Sequence, residues 1–163
     1  MKTLVVGVGN RLLRDEGVGC HVADALRGRA PLEAEVIDWG TCPDPPPSLA
    51  GADAVLVVDA CKAGGRPGDA YRFTLDDLAC DRQAVSFHDV SFVDSLPLLS
   101  ALYGIRHVVL IGIECAELGW GLELSAELEA RLPQLVELVA AELHNTEAEA
   151  EECHAYTTAE TAQ

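Results

Sequence analysis

Residues 7–17, "GVGNRLLRDEG", decide how this chain is read. They follow the apolar run "TLVV" (residues 3–6) and lead into "VGCHVADALRG" (residues 18–28), where Val18, Val22, Ala25 and Leu26 recur at i, i+4, i+7 and i+8. That spacing predicts an amphipathic helix, so a strand over 3–8, a glycine turn and a helix open an α/β domain. Turns at this place commonly carry G-x-G-x-x-G and cradle a pyrophosphate on the helix N-terminus. Gly7 and Gly9 fit the first two positions, but Leu12 stands at the third, and Asp15 and Glu16 put two carboxylates where the anion would lie. They would repel it and occupy the positive helix end themselves. No G-K-[ST] of a P-loop follows either. The glycines shape the turn, and phosphate is not its ligand.

Outward from that turn, strands alternate with helices. "EAEVID" (33–38) reads as a second strand, and "GTCPDPPPSLAG" (40–51) as a loop, because its prolines forbid regular structure. "AVLVVDA" (54–60) is apolar throughout, the pattern of a buried parallel strand. "CKAGGRPGD" (61–69) is a glycine-rich loop, "AYRF" (70–73) a short edge strand, and "AVSFHDVS" (84–91) a strand end or loop entering a helical stretch that closes near Tyr103. "HVVLIGIE" (107–114) is a strand, and "GWGLELS" (119–125) a loop with Ser125 placed to cap a helix. That last helix puts Leu128, Leu132, Leu135, Val139 and Leu143 on one face, and Pro133 is expected to bend or restart it. The expected fold is α/β, a three-layer sandwich: a mostly parallel twisted sheet with helices on both faces, phosphorylase/hydrolase-like or Rossmann-like. The domain is expected over 1–144, followed by an acidic, disordered tail over 145–163 that is poor in apolar residues.

Composition narrows the function. A length of 163 residues fits one domain with its own core. A formal net charge of −16 argues against nucleic acid and anionic membrane, which both need a basic footprint. No apolar run approaches the roughly 18 residues of a membrane span. "MKTLVVGVGN" is too short and too broken by glycine for a signal peptide, so a cytoplasmic protein, without membrane contact and monomeric, is expected. The six cysteines, Cys20, Cys42, Cys61, Cys80, Cys115 and Cys153, include no C-x-x-C pair and read as free thiols.

Three residues carry candidate chemistry together. Asp15 and Glu16 alone read first as helix N-terminal charge. Asp59 ends "AVLVVDA", where open α/β sheets build their sites, and it also fits the cap of the following turn. His88 lies in the loop after the next strand region, and imidazole is a common ligand of transition metals. Glu16, Asp59 and His88 come from successive strand-end loops that a doubly wound sheet brings together near the switch between its first and third strands. Two carboxylates and an imidazole make a partial shell for a divalent ion such as Ni²⁺ or Zn²⁺. His21, His107, His144 and His154 are weaker candidates.

With these residues in view, the chain resembles the hydrogenase maturation endopeptidases. "GVGNRLLRDEGVG" (7–19) is similar to the family's G-x-G-N-x-L-x-x-D-[DE]-G-x-G, and "VVDA" and "SFHDV" match its Asp and His positions in order and spacing. The likeness runs from Met1 to about Leu143. It implies removal of a C-terminal extension from the large-subunit precursor of a nickel–iron hydrogenase, with nickel already inserted in that substrate serving as the recognised ion. It places the metal-binding trio on Glu16, Asp59 and His88, with Zn or Cd as stand-ins in vitro. Where the family shows a Gly-Gly-Thr-x-Gly loop, this chain has "WGTCP": Gly40 and Thr41 are kept and Trp39 replaces a glycine. Gly9, Asn10, Gly40 and Thr41 are the expected cleft residues.

The sequence holds no H-E-x-x-H, and no Ser-His-Asp set is recognisable in it. Two mechanisms stay open: a metal polarises water or the carbonyl with a carboxylate as base, or the metal only positions the precursor and Asp15 or Asp59 does acid–base work. The expected catalytic set is Asp15, Glu16 and Asp59. Two rival readings are a nickel carrier without proteolysis and a nucleotide-binding enzyme that has lost its third glycine.

Overall fold

The computed structural model describes residues 2–27, 29, 34–42, 44–80, 86–87 and 90–160. Its elements in chain order are β1 (Thr3–Val8), α1 (Val18–Arg27), β2 (Glu35–Gly40), β3 (Ala54–Lys62), β4 (Ala70–Thr74), α2 (Leu75–Cys80), β5 (Ser86–Phe87), α3 (Val90–Tyr103), β6 (His107–Glu114) and α4 (Ala126–Glu160). The main path of the sheet runs β2-β1-β3-β6-β4, and β5 pairs with β3. β2, β1, β3 and β6 are parallel neighbours, while the edge strand β4 is antiparallel to β6. This is the α/β sandwich that the alternation of elements predicts.

Strand alternation divides the core. Val5, Leu56, Val58, Val109, Ile111 and Ile113 face α1 and α4, meeting Val18, Val22, Leu26, Leu128, Leu135, Val139 and Leu143. Leu4, Val6, Val55, Val57, Val108 and Leu110 face the other way, onto Phe92, Val93, Leu96 and Leu99 of α3. Successive side chains point to opposite faces, and β3 carries apolar residues at both parities because both of its faces are covered.

β2 begins at Glu35 and runs to Gly40, two residues beyond the expected end, and β3 continues past Asp59 to Lys62 because β6 pairs with it through Cys61↔Glu114. α4 runs unbroken through Pro133, where the missing N–H removes one ladder bond without stopping the helix. The tail expected to be disordered from residue 145 instead extends α4 to Glu160. Alanine and glutamate are strong helix formers that propagate a helix already nucleated. Tertiary contacts hold the extension as well: Thr146 and Ala150 are buried, and Arg72 of β4 pairs with Glu142 at 2.5 Å and Glu149 at 2.7 Å. The domain therefore does not stop at residue 144.

The start of α1 crosses directly over the ends of β1 and β3. A Cβ at Gly19 would lie 2.1 Å from the Val58 carbonyl oxygen and 2.4 Å from that of Val8. Both are backbone atoms of central strands and cannot step aside. Gly19→Ala is expected to cost about 1–3 kcal/mol through overpacking, which lowers the melting temperature by about 3–10 °C in a chain of this size; thermal circular dichroism checks it.

Candidate functional site

The site grows from the place where β1 and β3 part. Their register ends at Gly7↔Val58, and β3 runs on beyond it, with Asp59 next in line opposite Gly112 of β6, before β5 pairs with Cys61 and Lys62. The chain leaving β1 returns as α1 on one face, and α3 covers the other. That is the switch point at which open α/β sheets place ligand sites. Asp59 is fully buried there, and its Oδ1 accepts the Ala60 N–H at 2.7 Å.

Glu16 stands in a 3-10 turn over Arg14–Gly17 that packs against β3. Gly9 makes this approach possible. Its φ is +126°, which L side chains avoid, and a Cβ there would lie 1.8 Å from the Glu16 carbonyl oxygen. The Gly9 N–H donates to the Gly40 carbonyl at 3.1 Å, so the first and second strand-end loops are joined. Thr41 follows Gly40 and is exposed. Asn10 closes the turn by accepting the Leu12 N–H at 2.9 Å. The structure thus brings Gly9, Asn10, Gly40 and Thr41 to one rim beside Glu16. Trp39 fits without disturbing it: its indole N–H donates to the Cys42 carbonyl at 3.0 Å, and its ring packs on the α3-side core.

Asp15 has a different place. It is fully buried. Its Oδ2 accepts the N–H groups of Ala116 at 2.9 Å and Glu117 at 2.8 Å, and its Oδ1 accepts that of Ser125 at 2.7 Å. The carboxylate pins the loop between β6 and α4 to the glycine turn. Expected as a catalytic acid beside Glu16 and Asp59, it serves the fold, because adjacent residues in a tight turn point in different directions. Ser125 then caps α4, its hydroxyl accepting the Leu128 N–H at 3.3 Å, as its position in the sequence predicts.

His88 lies outside the described residues. Phe87, just before it, pairs with Cys61, two positions along β3 from Asp59. Among the described residues no group of three or more His, Cys, Asp or Glu is arranged to hold a metal ion.

Sequence reading missed a clamp. Arg11 donates to Asp38 at 3.0 and 2.7 Å, to Asp24 at 2.5 Å and to the Cys20 carbonyl at 3.0 Å, tying the turn to β2 and α1. Burial opposes ionisation of Asp38, but the Cys20 thiol and Arg11 outweigh it and hold its carboxyl below the usual range. These partners are separated along the chain by up to 27 residues, so no local pattern announces them.

Three buried thiols offer no nucleophile here. Burial pushes Cys20, Cys61 and Cys115 up to about 12, and a thiol reacts as thiolate. Cys20, Cys42, Cys61 and Cys115 are free, as the sequence predicts.

His21 is half-buried on α1, beside the Leu122 backbone. Burial first, then Arg11, lowers its pKa from 6.5, with Asp24, Glu129 and the Leu122 bond opposing. The unfolded chain therefore takes up this proton before the folded one, and stability falls as pH drops through about 6.5. The urea midpoint is expected to decrease from about pH 7.5 to 5.5, and to decrease less in His21→Gln.

The fold and site together define an open α/β protein with Asp59 buried in β3 at the switch point and two acids, Asp15 and Glu16, in its first glycine turn. Comparison with known proteins narrows that class. The profile of the hydrogenase maturation protease family matches residues 20–142, so the chain belongs to that family. The match begins beyond the Gly7–Gly17 turn and supports the assignment independently of that motif. The chain is 28% identical to the hydrogenase 2 maturation protease of Escherichia coli K12, covering 92% of this chain and 95% of that one. It is 30% identical to the hydrogenase expression/formation protein HupD of Thiocapsa roseopersicina, over 83% of this chain and 64% of that longer protein. The solved [NiFe] hydrogenase maturation protease HybD of Thermococcus kodakarensis superposes with a TM-score of 0.74 at 25% identity, covering 88% of this chain and 99% of that one. The E. coli maturating endopeptidase HybD does so at 0.72 and 26%, covering 90% and 94%. Among the described residues no helix is long and apolar enough to cross a membrane.

Proposed function

We propose that this protein is the endopeptidase that removes the C-terminal extension of a nickel-loaded nickel–iron hydrogenase large-subunit precursor, with the nickel in that substrate as the recognised ion. One observation carries the reading: the glycine turn is folded back so that the 3-10 turn bearing Glu16 packs against β3, the strand in which Asp59 is buried. Carboxylates at that edge suit a cation and repel a phosphate. Family membership supplies the reaction class.

Glu16, Asp59 and His88 are the residues proposed to meet the precursor's nickel; Zn²⁺ or Cd²⁺ would take the same donors in vitro. With Asp15 committed to backbone N–H groups and the buried thiols protonated, acid–base work falls to Glu16 and Asp59. A carboxylate accepts a proton from the attacking water and returns it to the leaving amine. The protein is proposed to act as a monomer in the cytoplasm, without nucleic acid or membrane.

The test mixes purified protein with nickel-loaded and nickel-free precursor and follows intact mass. The loaded precursor is expected to lose a C-terminal peptide and the nickel-free one to keep its mass. Metal binding without shortening would make the protein a carrier. A melting temperature raised by adenine nucleotides would favour a nucleotide enzyme.

A further inference from the structure

Resting on the function proposed above, we infer that the loop between β6 and α4 is the docking ledge for an apolar segment of the precursor flanked by Lys or Arg. Leu118, Trp120 and Leu122 are 43%, 82% and 66% exposed, and Leu12 of the glycine turn is 53% exposed. These four side chains belong to two segments that the backbone holds together. Gly121 N–H donates to the Leu12 carbonyl at 3.0 Å, Arg14 N–H donates to the Gly121 carbonyl at 3.0 Å, and Leu13 bridges Gly121. Leu12, Trp120 and Leu122 therefore flank one point, a few residues from Glu16. Apolar side chains clustered on a surface and rimmed by polar ones mark protein contacts, and tryptophan is enriched among the residues that carry binding energy.

The ledge is built before any partner arrives. Asp15 fixes both ends of its loop through the N–H groups of Ala116, Glu117 and Ser125. A loop already in its bound shape loses little entropy on binding. The glycines on either side of Trp120 leave its ring uncrowded.

Charge selects the occupant. Residues 115–130 contain four glutamates, Glu117, Glu123, Glu127 and Glu129, and no Lys or Arg. All four are exposed. The nearby Arg14 is paired with Glu117 at 2.7 Å. The rim is net acidic on a chain of charge −16, so a basic-flanked segment fits and an acidic one is repelled. The ledge is continuous along the chain with the turn at Gly9, whose N–H donates to the Gly40 carbonyl.

The experiment measures cleavage of nickel-loaded precursor over a range of precursor concentrations, for wild type, Trp120→Ala, Leu122→Ser and Glu123→Lys, with the melting temperature of each variant recorded. Trp120→Ala and Leu122→Ser are expected to raise KM on the order of tenfold or more, at unchanged kcat and melting temperature. Glu123→Lys should raise KM by a smaller factor, and that factor should shrink at high salt. Leu102→Ser, which alters the separate exposed apolar face of α3, should leave KM unchanged. Wild-type cleavage with unaltered KM in the Trp120 and Leu122 variants overturns the ledge and leaves the peptidase reading standing. An equal rise in Leu102→Ser, or a dimer in wild type that Trp120→Ala dissolves without changing KM, also overturns it. Failure of wild type to cleave loaded precursor overturns both readings together.

Discussion

Glu16→Gln and Asp59→Asn are each expected to lower the rate of precursor shortening by a factor on the order of 10²–10⁴, the range that positioned acid–base groups contribute, while the protein stays folded. Both substitutions keep the side chain's size and remove its charge. The amide that Asp59→Asn introduces retains an oxygen to accept the Ala60 N–H, which Oδ1 of Asp59 now accepts at 2.7 Å. What is lost is the negative charge at the switch point, and with it both affinity for the substrate's nickel and a base for the attacking water. Single-turnover cleavage followed by intact mass measures the effect, with circular dichroism as the control for folding. Full activity in Glu16→Gln would remove the glycine-turn carboxylate from the mechanism. A variant that still binds loaded precursor but does not cut it would assign the lost charge to chemistry more than to recognition.

Asp15→Ala is expected to destabilise the protein by about 3–5 kcal/mol, since it strips the shared acceptor from three backbone N–H groups, each costing about 1–3 kcal/mol when left unpaired in the interior. The Ala116, Glu117 and Ser125 N–H groups lose their partner together. That loss is a large part of the roughly 5–15 kcal/mol by which domains are ordinarily stable. Urea titration gives the number, and the loop between β6 and α4 should become accessible to protease first, because it is the segment released. If Asp15→Asn were as stable as wild type yet inactive, the carboxylate would belong to the chemistry after all. The contrast between neighbours is sharp: Glu16→Gln should change activity with little loss of stability, and Asp15→Ala stability above all.

Much of this was legible in the sequence, for reasons particular to each element. β3 was readable because both of its faces are buried, leaving an uninterrupted apolar run ending in one acid. α4 was readable over residues 126–143 from a leucine stripe, but its continuation to Glu160 was not. Beyond Leu143 the helix is held by alanine and glutamate propensity, by the buried Thr146, and by a pairing of Glu149 with Arg72 that crosses 77 residues. The ends of β2 and β3 shifted because strand length is set by what the neighbouring strand offers. Arg11 looked like one surface cation among eleven basic residues, and only the fold shows that it ties the turn to Asp24 and Asp38.

By itself the sequence determined that the first turn carries acids in place of a phosphate cradle, that strands and helices alternate, and that Asp59 interrupts an otherwise apolar buried strand. Those properties rest on residue type and short-range spacing, which the chain displays directly. Tertiary structure alone decided that Asp15, of the two adjacent acids, is buried among backbone N–H groups. It also decided that the loop of Trp120 lies beside that turn. Both depend on contacts between residues about 100 positions apart, whose proximity exists only once the sheet has set β1 and β6 on either side of β3.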